Sequence, residues 1–279
     1  MRISAVVMTL NEERNIEFCL RSLRSWCDEI VVVDMFSEDA TTQIAARYAD
    51  VVLTHERLAS FDLGRERGVE AASGDWILSI DADEVVTPAL ARWIRQFVDS
   101  PSSYDLALIP RVNVFLGRRL HSTPWWPGKP RLFRAGAVKV TGDLHHGLVP
   151  TAKRVARLPR KSELSIWHFS RLDLEQLSAK TNSYSSTLAR QAIAAGRGDP
   201  SWTEVFASPL RELGKYVLRR GYRDGRSGLA YVVDRAHYRF MTQVKRWDET
   251  QKPTRQARYD EWRESILRGF PDGGRMKQS

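Results

Sequence analysis

Asp81-Ala82-Asp83-Glu84 closes the apolar run WILSID at residues 76–81 and carries the densest chemistry in the chain. Residues two apart in an extended chain point the same way, so Asp81 and Asp83 would aim two carboxylates into one crevice. Those charges repel unless something positive sits between or beside them. A divalent cation is the natural partner, and Mg2+ or Mn2+ suits oxygen ligands and a diphosphate. The plainer reading is a helix N-terminus with acids in its first turn. Thr87 before Pro88, however, already supplies a cap for the next helix. A bare Asp-x-Asp arises often by chance, but one at the end of the fourth strand-like segment of an α/β half is far more specific.

Two further polar clusters follow strand-like runs. Thr9-Leu10-Asn11-Glu12-Glu13 ends the first, where backbone and side chains could hold a nucleobase and ribose. Asn11 before two glutamates is equally a helix cap, and both readings can hold together. Asp34 ends the second in VVVDMFSEDAT. Its carboxylate could accept hydrogen bonds from a base or ribose, or serve as a turn residue.

The elements that must position these groups alternate. ISAVVMTL (3–10), EIVVVD (29–34), VVLT (51–54) and WILSID are apolar and strand-length. Helical spacing separates them at 12–24, 41–48 and 63–72, and recurs at 87–98. Nearly unbroken apolar strands between amphipathic helices imply a parallel sheet covered on both faces. Such sheets bind ligands beyond the carboxyl ends of their strands, where all three clusters fall. From residue 105 the rhythm changes to longer strand patterns, DLALIPRVNVF, RLFRAGAVKV and ELSIWHF, read as an antiparallel or mixed extension. Helical patterns cover 172–195, 202–220 and 228–247, and a polar, Gly-rich tail from about 269 is expected to fray.

At this point the chain resembles family 2 glycosyltransferases of the GT-A fold, most nearly the branch containing bacterial lipopolysaccharide-core β-glycosyltransferases. The matching stretches are ISAVVMTLNEERNIEFCLRSL, DEIVVVDMFSEDATTQIA, GDWILSIDADEVVTPAL, RLFRAGAVKVTGDLHHGL and IWHFSRLDLEQLSAKTNSYS, in family order from residue 3 to about 186. The resemblance implies an α/β, Rossmann-related, mostly parallel sheet flanked by helices. Residues 1–104 would form the nucleotide-sugar-binding half and 105–171 the acceptor-side mixed β region of the same catalytic domain. Residues 172–279 would be a helical C-terminal extension. It further implies inverting transfer from a nucleotide diphosphate sugar, a UDP-sugar by default, with a divalent cation as cofactor. Thr9, Asn11, Glu12 and Asp34 would border the nucleoside, and Arg65 the base or diphosphate. Asp81 would contact ribose or metal, and Asp83 would coordinate the metal, which neutralises charge on the leaving diphosphate.

A general base must take the acceptor's proton. The family often has an acidic residue directly after a His in the segment matching Leu144-His145-His146-Gly147, and here His146 stands there. Neutral imidazole is chemically adequate, with Asp143 and His145 as alternatives. Two other departures touch donor choice. Met35-Phe36-Ser37 replaces the usual Ser-Gly-Ser, and Glu66 replaces the Asn after the arginine. His168 matches a segment near the site and could reach metal or diphosphate, though a lone His at a strand end is also a structural residue. Trp125 and Trp126, among Pro and Gly, suit a stacking platform for an acceptor sugar or an anchor for a long loop. Arg131 is a candidate acceptor or phosphate contact, with surface charge as the alternative.

Composition limits the remainder. Hydrophobic residues at 42% and charged residues at 28% are ordinary for a soluble globular protein, so disorder is not the default reading. A net charge of +9 favours polyanionic partners, yet no helix-turn-helix, RNA-binding strand or zinc pattern points to nucleic acid. Cys19 and Cys27 lack metal-ligand spacing and fit reduced thiols of a cytoplasmic protein. No run approaches the roughly 20 apolar residues of a membrane span. Leu210, Leu213, Val217 and Leu218, among Arg211, Lys215, Arg219 and Arg220, could nevertheless lay a helix on the anionic inner face of the cytoplasmic membrane, or pack it on the catalytic domain. A glycan or lipid-linked glycan is the expected acceptor. A nucleotidyltransferase is the rival enzyme, disfavoured because TLNEERN has no Gly-rich phosphate loop. A non-catalytic nucleotide-sugar-binding relative is the other alternative.

Overall fold

The computed structural model describes residues 1–55, 61–100, 104–121, 129–140, 148–151, 154–171 and 174–268. The first half is built as its apolar runs require. β1 (Ile3–Thr9) is buried at every position. α1 (Ile16–Arg24) packs Ile16, Cys19, Leu20 and Leu23 inward. β2 (Glu29–Asp34), the short α2 (Thr41–Ala45), β3 (Val51–Thr54), α3 (Phe61–Ala71), β4 (Trp76–Asp81), β5 (Glu84–Val86) and α4 (Pro88–Asp99) follow. Thr87 caps α4 by accepting from the Leu90 amide at 3.1 Å, with Pro88 in the first turn.

The second half of this region adds β6 (Leu106–Ile109), β7 (Arg111–Phe115), β8 (Arg118–Arg119), β9 (Lys129–Arg134), β10 (Val138–Val140), β11 (Leu148–Pro150), β12 (Val155–Arg157) and β13 (Ile166–Arg171). The main sheet has seven strands in the order β12-β6-β9-β4-β1-β2-β3. β4, β1, β2 and β3 are parallel; β9 runs antiparallel between β4 and β6. A second sheet has the order β5-β13-β7-β8. The run DLALIPRVNVF, read as one strand, is two: Pro110 separates β6 in the main sheet from β7 in the second. Proline has no amide to continue a ladder, and its carbonyl accepts instead from Ile166 at 3.0 Å, starting β13. RLFRAGAVKV likewise divides at Gly136, which has φ +81°.

Parallel register brings the carboxyl ends of three strands level. Thr9 lies opposite Asp34, and Met8 opposite Asp81. α3 crosses this edge at close range. A Cβ on Gly68 would stand 2.5 Å from Val6 Cγ1, and one on Gly64 2.7 Å from Met8 Cε. Two glycines one turn apart thus let the α3 backbone settle on β1 and β2, which carries Arg65 to the end of β4.

Contacts divide the chain into two compact units. One comprises Met1–Gln176 with Tyr216–Tyr231, a segment tied in by the His121 amide donating to Asp224 Oδ1 at 2.9 Å. The other comprises Leu177–Lys215 and the chain from Val232 onward, drawn from α5 (Leu174–Ala194), α6 (Trp202–Leu218) and α7 (Gly225–Leu267). Inside it Arg246, 4% exposed, pairs with Glu204 at 2.9 Å, and Lys245 donates to the Asn182 carbonyl at 2.6 Å. α7 runs 43 residues and passes Pro253, well beyond the expected end at 247. The expected fraying tail lies outside the described residues.

Candidate active site

Asp81 ends β4, and the chain turns at Ala82-Asp83 before β5. The extended geometry expected from 81 to 83 is replaced by this turn, held by the Ala82 amide donating to Met8 O at 3.0 Å and by Phe169 N donating to Asp83 O at 2.8 Å. The two carboxylates therefore meet different partners. Asp81 Oδ1 is ion-paired with Arg65, and its Oδ2 lies 3.2 Å from Arg131 Nη2. Asp83 Oδ2 lies 3.3 Å from His168 Nε2.

Behind Asp81 sits Glu84, fully buried. It accepts the Asp81 amide at 2.9 Å, pairs with Arg131 at 2.7 Å and faces Arg111 at 3.6 Å. Arg65 also donates to Ser79 Oγ at 2.7 Å, and Arg131 to the Ser79 carbonyl at 3.2 Å. Three guanidinium groups thus surround two carboxylates under the end of β4. A buried carboxylate survives only when paired and hydrogen-bonded, and Glu84 meets both conditions. The positive charge anticipated beside the acidic pair is here supplied to Asp81 by arginine.

Asp83 is different. His168 Nδ1 lies 3.0 Å from Asn113 Oδ1. An amide oxygen only accepts, so with this amide orientation Nδ1 carries a proton and Nε2 faces Asp83, as donor or acceptor according to the charge of the ring. A carboxylate oxygen and an imidazole nitrogen at this distance form an ion pair when the ring is protonated and can share a cation when it is neutral. Two adjacent ligands about 2.1 Å from one octahedral ion stand roughly 3.0 Å apart, close to the observed separation. The pair therefore fits a divalent ion on its protein side. Among the described residues no group of three or more His, Cys, Asp or Glu gathers as a complete cage. The remaining positions would fall to diphosphate oxygens and water, as is usual for Mg2+-type sites.

The nucleoside candidates cluster at the neighbouring strand ends. Thr9 is 1% exposed, and its Oγ1 is buried with no partner among the described residues. That hydroxyl lies at the carboxyl edge of the sheet, beside Asp34. Asp34, also 1% exposed, accepts the Ser37 amide at 2.9 Å and the Ser37 hydroxyl at 2.5 Å. It therefore shapes the loop after β2. Asn11 joins that loop, its amide donating to Ser37 Oγ and its Oδ1 accepting from Glu38 N, both at 2.8 Å. Glu12 receives Asn15 Nδ2 at 2.7 Å and donates its amide to Thr41 Oγ1 at 2.8 Å. Both loops use left-handed residues, Asn11 at φ +52° and Phe36 at φ +58°. Asparagine tolerates that region; an aromatic there is uncommon.

The structure thus brings Thr9, Asp34, Asp81 and Arg65 to one edge, with Asn11 and Glu12 in the loop above it. It places Arg131, 5% exposed, against Asp81 and Glu84. Asp143, His145, His146, Trp125 and Trp126 lie outside the described residues; β10 and β11 pair antiparallel on either side of 141–147. Sequence reasoning assigned no part to Glu84, Ser79, Arg111, Asn113 or Ser37. Ser79 was the available signal, a lone hydroxyl inside an otherwise apolar strand. Beneath the site, burial, then the charges of Glu84, Asp83 and Asp81, push the Cys19 thiol well above its ordinary value. Both cysteines are free thiols.

Residues 4–153 match the family described as Glycosyl transferase family 2. The chain is 26% identical over 261 residues to the lipopolysaccharide core biosynthesis glycosyltransferase LpsC of Rhizobium meliloti (strain 1021), covering 87% of this chain and 91% of that protein. Two solved structures share its architecture. S. aureus TarS 1–349 in complex with UDP-GlcNAc aligns with a TM-score of 0.50 at 16% identity, over 92% of each chain. Glucosyl-3-phosphoglycerate synthase from Mycobacterium tuberculosis, in complex with phosphoglyceric acid, aligns with a TM-score of 0.50 at 17% identity, over 71% of this chain and 81% of that one. At such identities the likeness concerns the fold, which is the GT-A-like arrangement expected.

Proposed function

The chain belongs to glycosyl transferase family 2, and from that premise we propose that it moves a sugar from a nucleotide diphosphate sugar, a UDP-sugar by preference, to a glycan or lipid-linked glycan acceptor, with inversion. The observation that carries this reading is the Asp83–His168 pair at the mouth of the sheet, 3.3 Å apart. Asp83 stands two residues beyond an Asp81 already held by two arginines.

In this reading Asp83 and His168 hold a divalent ion, and the mixed oxygen–nitrogen pair favours Mn2+ over Mg2+. Bound there, the ion would supply charge neutralisation to the leaving diphosphate. Arg65 and Arg131 hold Asp81 in one orientation and add fixed positive charge beneath the diphosphate, without reorganisation during the reaction. Thr9 Oγ1 and the rim of Asn11, Glu12 and Asp34 border the nucleoside. The acceptor hydroxyl attacks the anomeric carbon from the face opposite the diphosphate as a base takes its proton. His146 is the proposed base, with Asp143 and His145 as alternatives, and Trp125 and Trp126 the proposed platform for the acceptor sugar.

A surface-glycan or lipopolysaccharide-core acceptor is supported by the 26% identity to LpsC. Such an acceptor places the enzyme at the cytoplasmic face of the inner membrane. Among the described residues no helix is long and apolar enough to cross a membrane. α6 instead exposes Trp202 at 78%, Phe206 at 53%, Leu210 at 61% and Val217 at 64%, spaced along one face. With Arg211, Lys215, Arg219 and Arg220 nearby, that face suits an anionic surface.

The test is a thermal-shift panel of nucleotide sugars with and without Mn2+. Ligand at 100 times its Kd stabilises by about 2.7 kcal/mol. The wild-type protein is expected to respond to a UDP-sugar with Mn2+, and Asp83→Asn or His168→Ala to lose the Mn2+ dependence. Absence of any response to sugar nucleotides refutes the proposal. Binding without transfer to any glycan would favour the non-catalytic relative.

A further inference from the structure

A cavity of about 1170 Å³ lies between α1 and α4 and reaches Asp83 at one end. That exceeds the roughly 300–1,000 Å³ usual for a small-molecule site. Its floor and walls are apolar: Phe18 and Trp26 from the α1 side, Val85 and Val86 from β5, Pro88 from α4, and Phe169 from β13. Phe18 is 60% exposed, an unusual position for a phenylalanine on a helix whose other face is fully buried. Arginines line the same cavity from both helices, Arg14 and Arg21 on one side and Arg92 and Arg95 on the other. Arg95 is engaged by Asp28 at 2.7 Å. Arg21 and Arg92 are exposed and form no ion pair among the described residues.

The spacing explains the arrangement. Arg14, Phe18 and Arg21 recur at intervals of four and three along one face leading into and along α1; Pro88, Arg92 and Arg95 do the same on α4. The opposite faces of both helices carry the core residues. The outward faces are therefore available for a ligand, and they combine an apolar lining with cationic edges. No described acid other than Asp83 lines this cavity, so an anion would meet little opposing charge away from that end.

We propose that this trench binds the acceptor's own anchor: an apolar chain along Phe18, Trp26 and Phe169, and an anionic, phosphate-bearing head against Arg21 and Arg92. The proposal rests on the glycosyltransferase reading above and specifies its acceptor as an anionic amphiphile. Continuity with Asp83 is what joins the trench to the reacting end. A purely soluble sugar would have no use for the apolar lining, and a neutral lipid none for the arginines.

The test uses the full-length protein and dodecyl phosphate, kept dispersed below its aggregation threshold, as the probe. Dodecyl maltoside, inorganic phosphate and phosphatidylglycerol vesicles are parallel arms, and apparent melting temperature is the readout. Dodecyl phosphate is expected to stabilise the wild type. The double variant Arg21→Glu/Arg92→Glu should weaken its apparent affinity by roughly tenfold or more, since charge-assisted contacts become repulsive. Phe18→Asp, at an exposed position, should weaken it as well. Equal stabilisation by dodecyl maltoside or by inorganic phosphate overturns the proposal, because one of the two recognition elements would be idle. A response to vesicles alone overturns it in favour of a membrane-docking face. The Mn2+-dependent response to a UDP-sugar, measured on the same samples, separates the two levels. If it persists while dodecyl phosphate does nothing, only the trench assignment fails. If it too is absent from the wild type, the glycosyltransferase reading fails first.

Discussion

Replacing Arg131 by Gln distinguishes a structural counter-ion from an acceptor contact. Arg131 is 5% exposed and bonds Glu84 at 2.7 Å, Asp81 at 3.2 Å and the Ser79 carbonyl at 3.2 Å. Removing it leaves Glu84, fully buried, with only the Asp81 amide at 2.9 Å and Arg111 at 3.6 Å among its contacts described above. Breaking a buried ion pair from one side costs about 3–5 kcal/mol. Those two surviving contacts place Arg131→Gln at the lower end, about 3 kcal/mol. For a chain of this size that corresponds to a fall in Tm of about 6–12 °C. The assay is calorimetric melting of Arg131→Gln, Glu84→Gln and the double variant. The double variant should lose less than the two singles together, because removing both charges leaves neither stranded. An acceptor contact behaves otherwise: Tm would hold within about 1 °C, as for most surface substitutions, while KM for the acceptor rose. That result would refute the counter-ion reasoning.

Four further outcomes are expected. His146→Ala should lower turnover by about 10²–10⁴-fold while sparing the UDP-sugar thermal shift; near-normal turnover would move the base to Asp143 or His145. Phe36→Gly should raise Tm modestly. It relieves about 1–2 kcal/mol of left-handed strain at φ +58° against roughly 0.5–1 kcal/mol of added chain entropy, and a clear fall in Tm would show that the ring's contacts outweigh the strain. At Asp28, burial pushes the carboxyl up, but the Ile3 amide and Arg95 more than offset it and leave it below its ordinary value. A lowered folded-state pKa gives stability that is present above the unfolded value and lost as pH falls through the folded one. Asp28→Asn should therefore be less stable than wild type at neutral pH, with the gap closing below about pH 4; a gap unchanged down to strong acid would rule out this electrostatic origin. Finally, the protein should sediment with anionic vesicles at low salt and be released at high salt, and equal recovery in the supernatant at both salt levels would count against the α6 surface.

Much of the catalytic unit was legible in the chain itself. EIVVVD, VVLT and WILSID are the bounds of β2, β3 and β4, and Thr87-Pro88 opens α4 as read. These segments are short, continuously apolar and bordered by polar residues, so local pattern and final structure coincide. β1, β2 and β4 are buried along almost their whole length, as strands inside a sheet covered on both faces must be. Their parallel order then places Thr9, Asp34 and Asp81 together at the carboxyl edge.

What the chain could not reveal was who stands beside whom. Asp81 and Asp83 look equivalent in sequence, yet one is held by Arg65 and Arg131 and the other faces His168. Arg131 arrives on β9, which runs antiparallel beside β4, and His168 on β13, which pairs with β5 in the second sheet. Pro110 decides that β6 and β7 part, but only the finished sheets decide where each goes. Hydrophobic periodicity is a property of neighbours in the chain and survives in one dimension. An ion pair is a property of distance in three, set by register between strands far apart in sequence, and it comes into being only when the sheet closes.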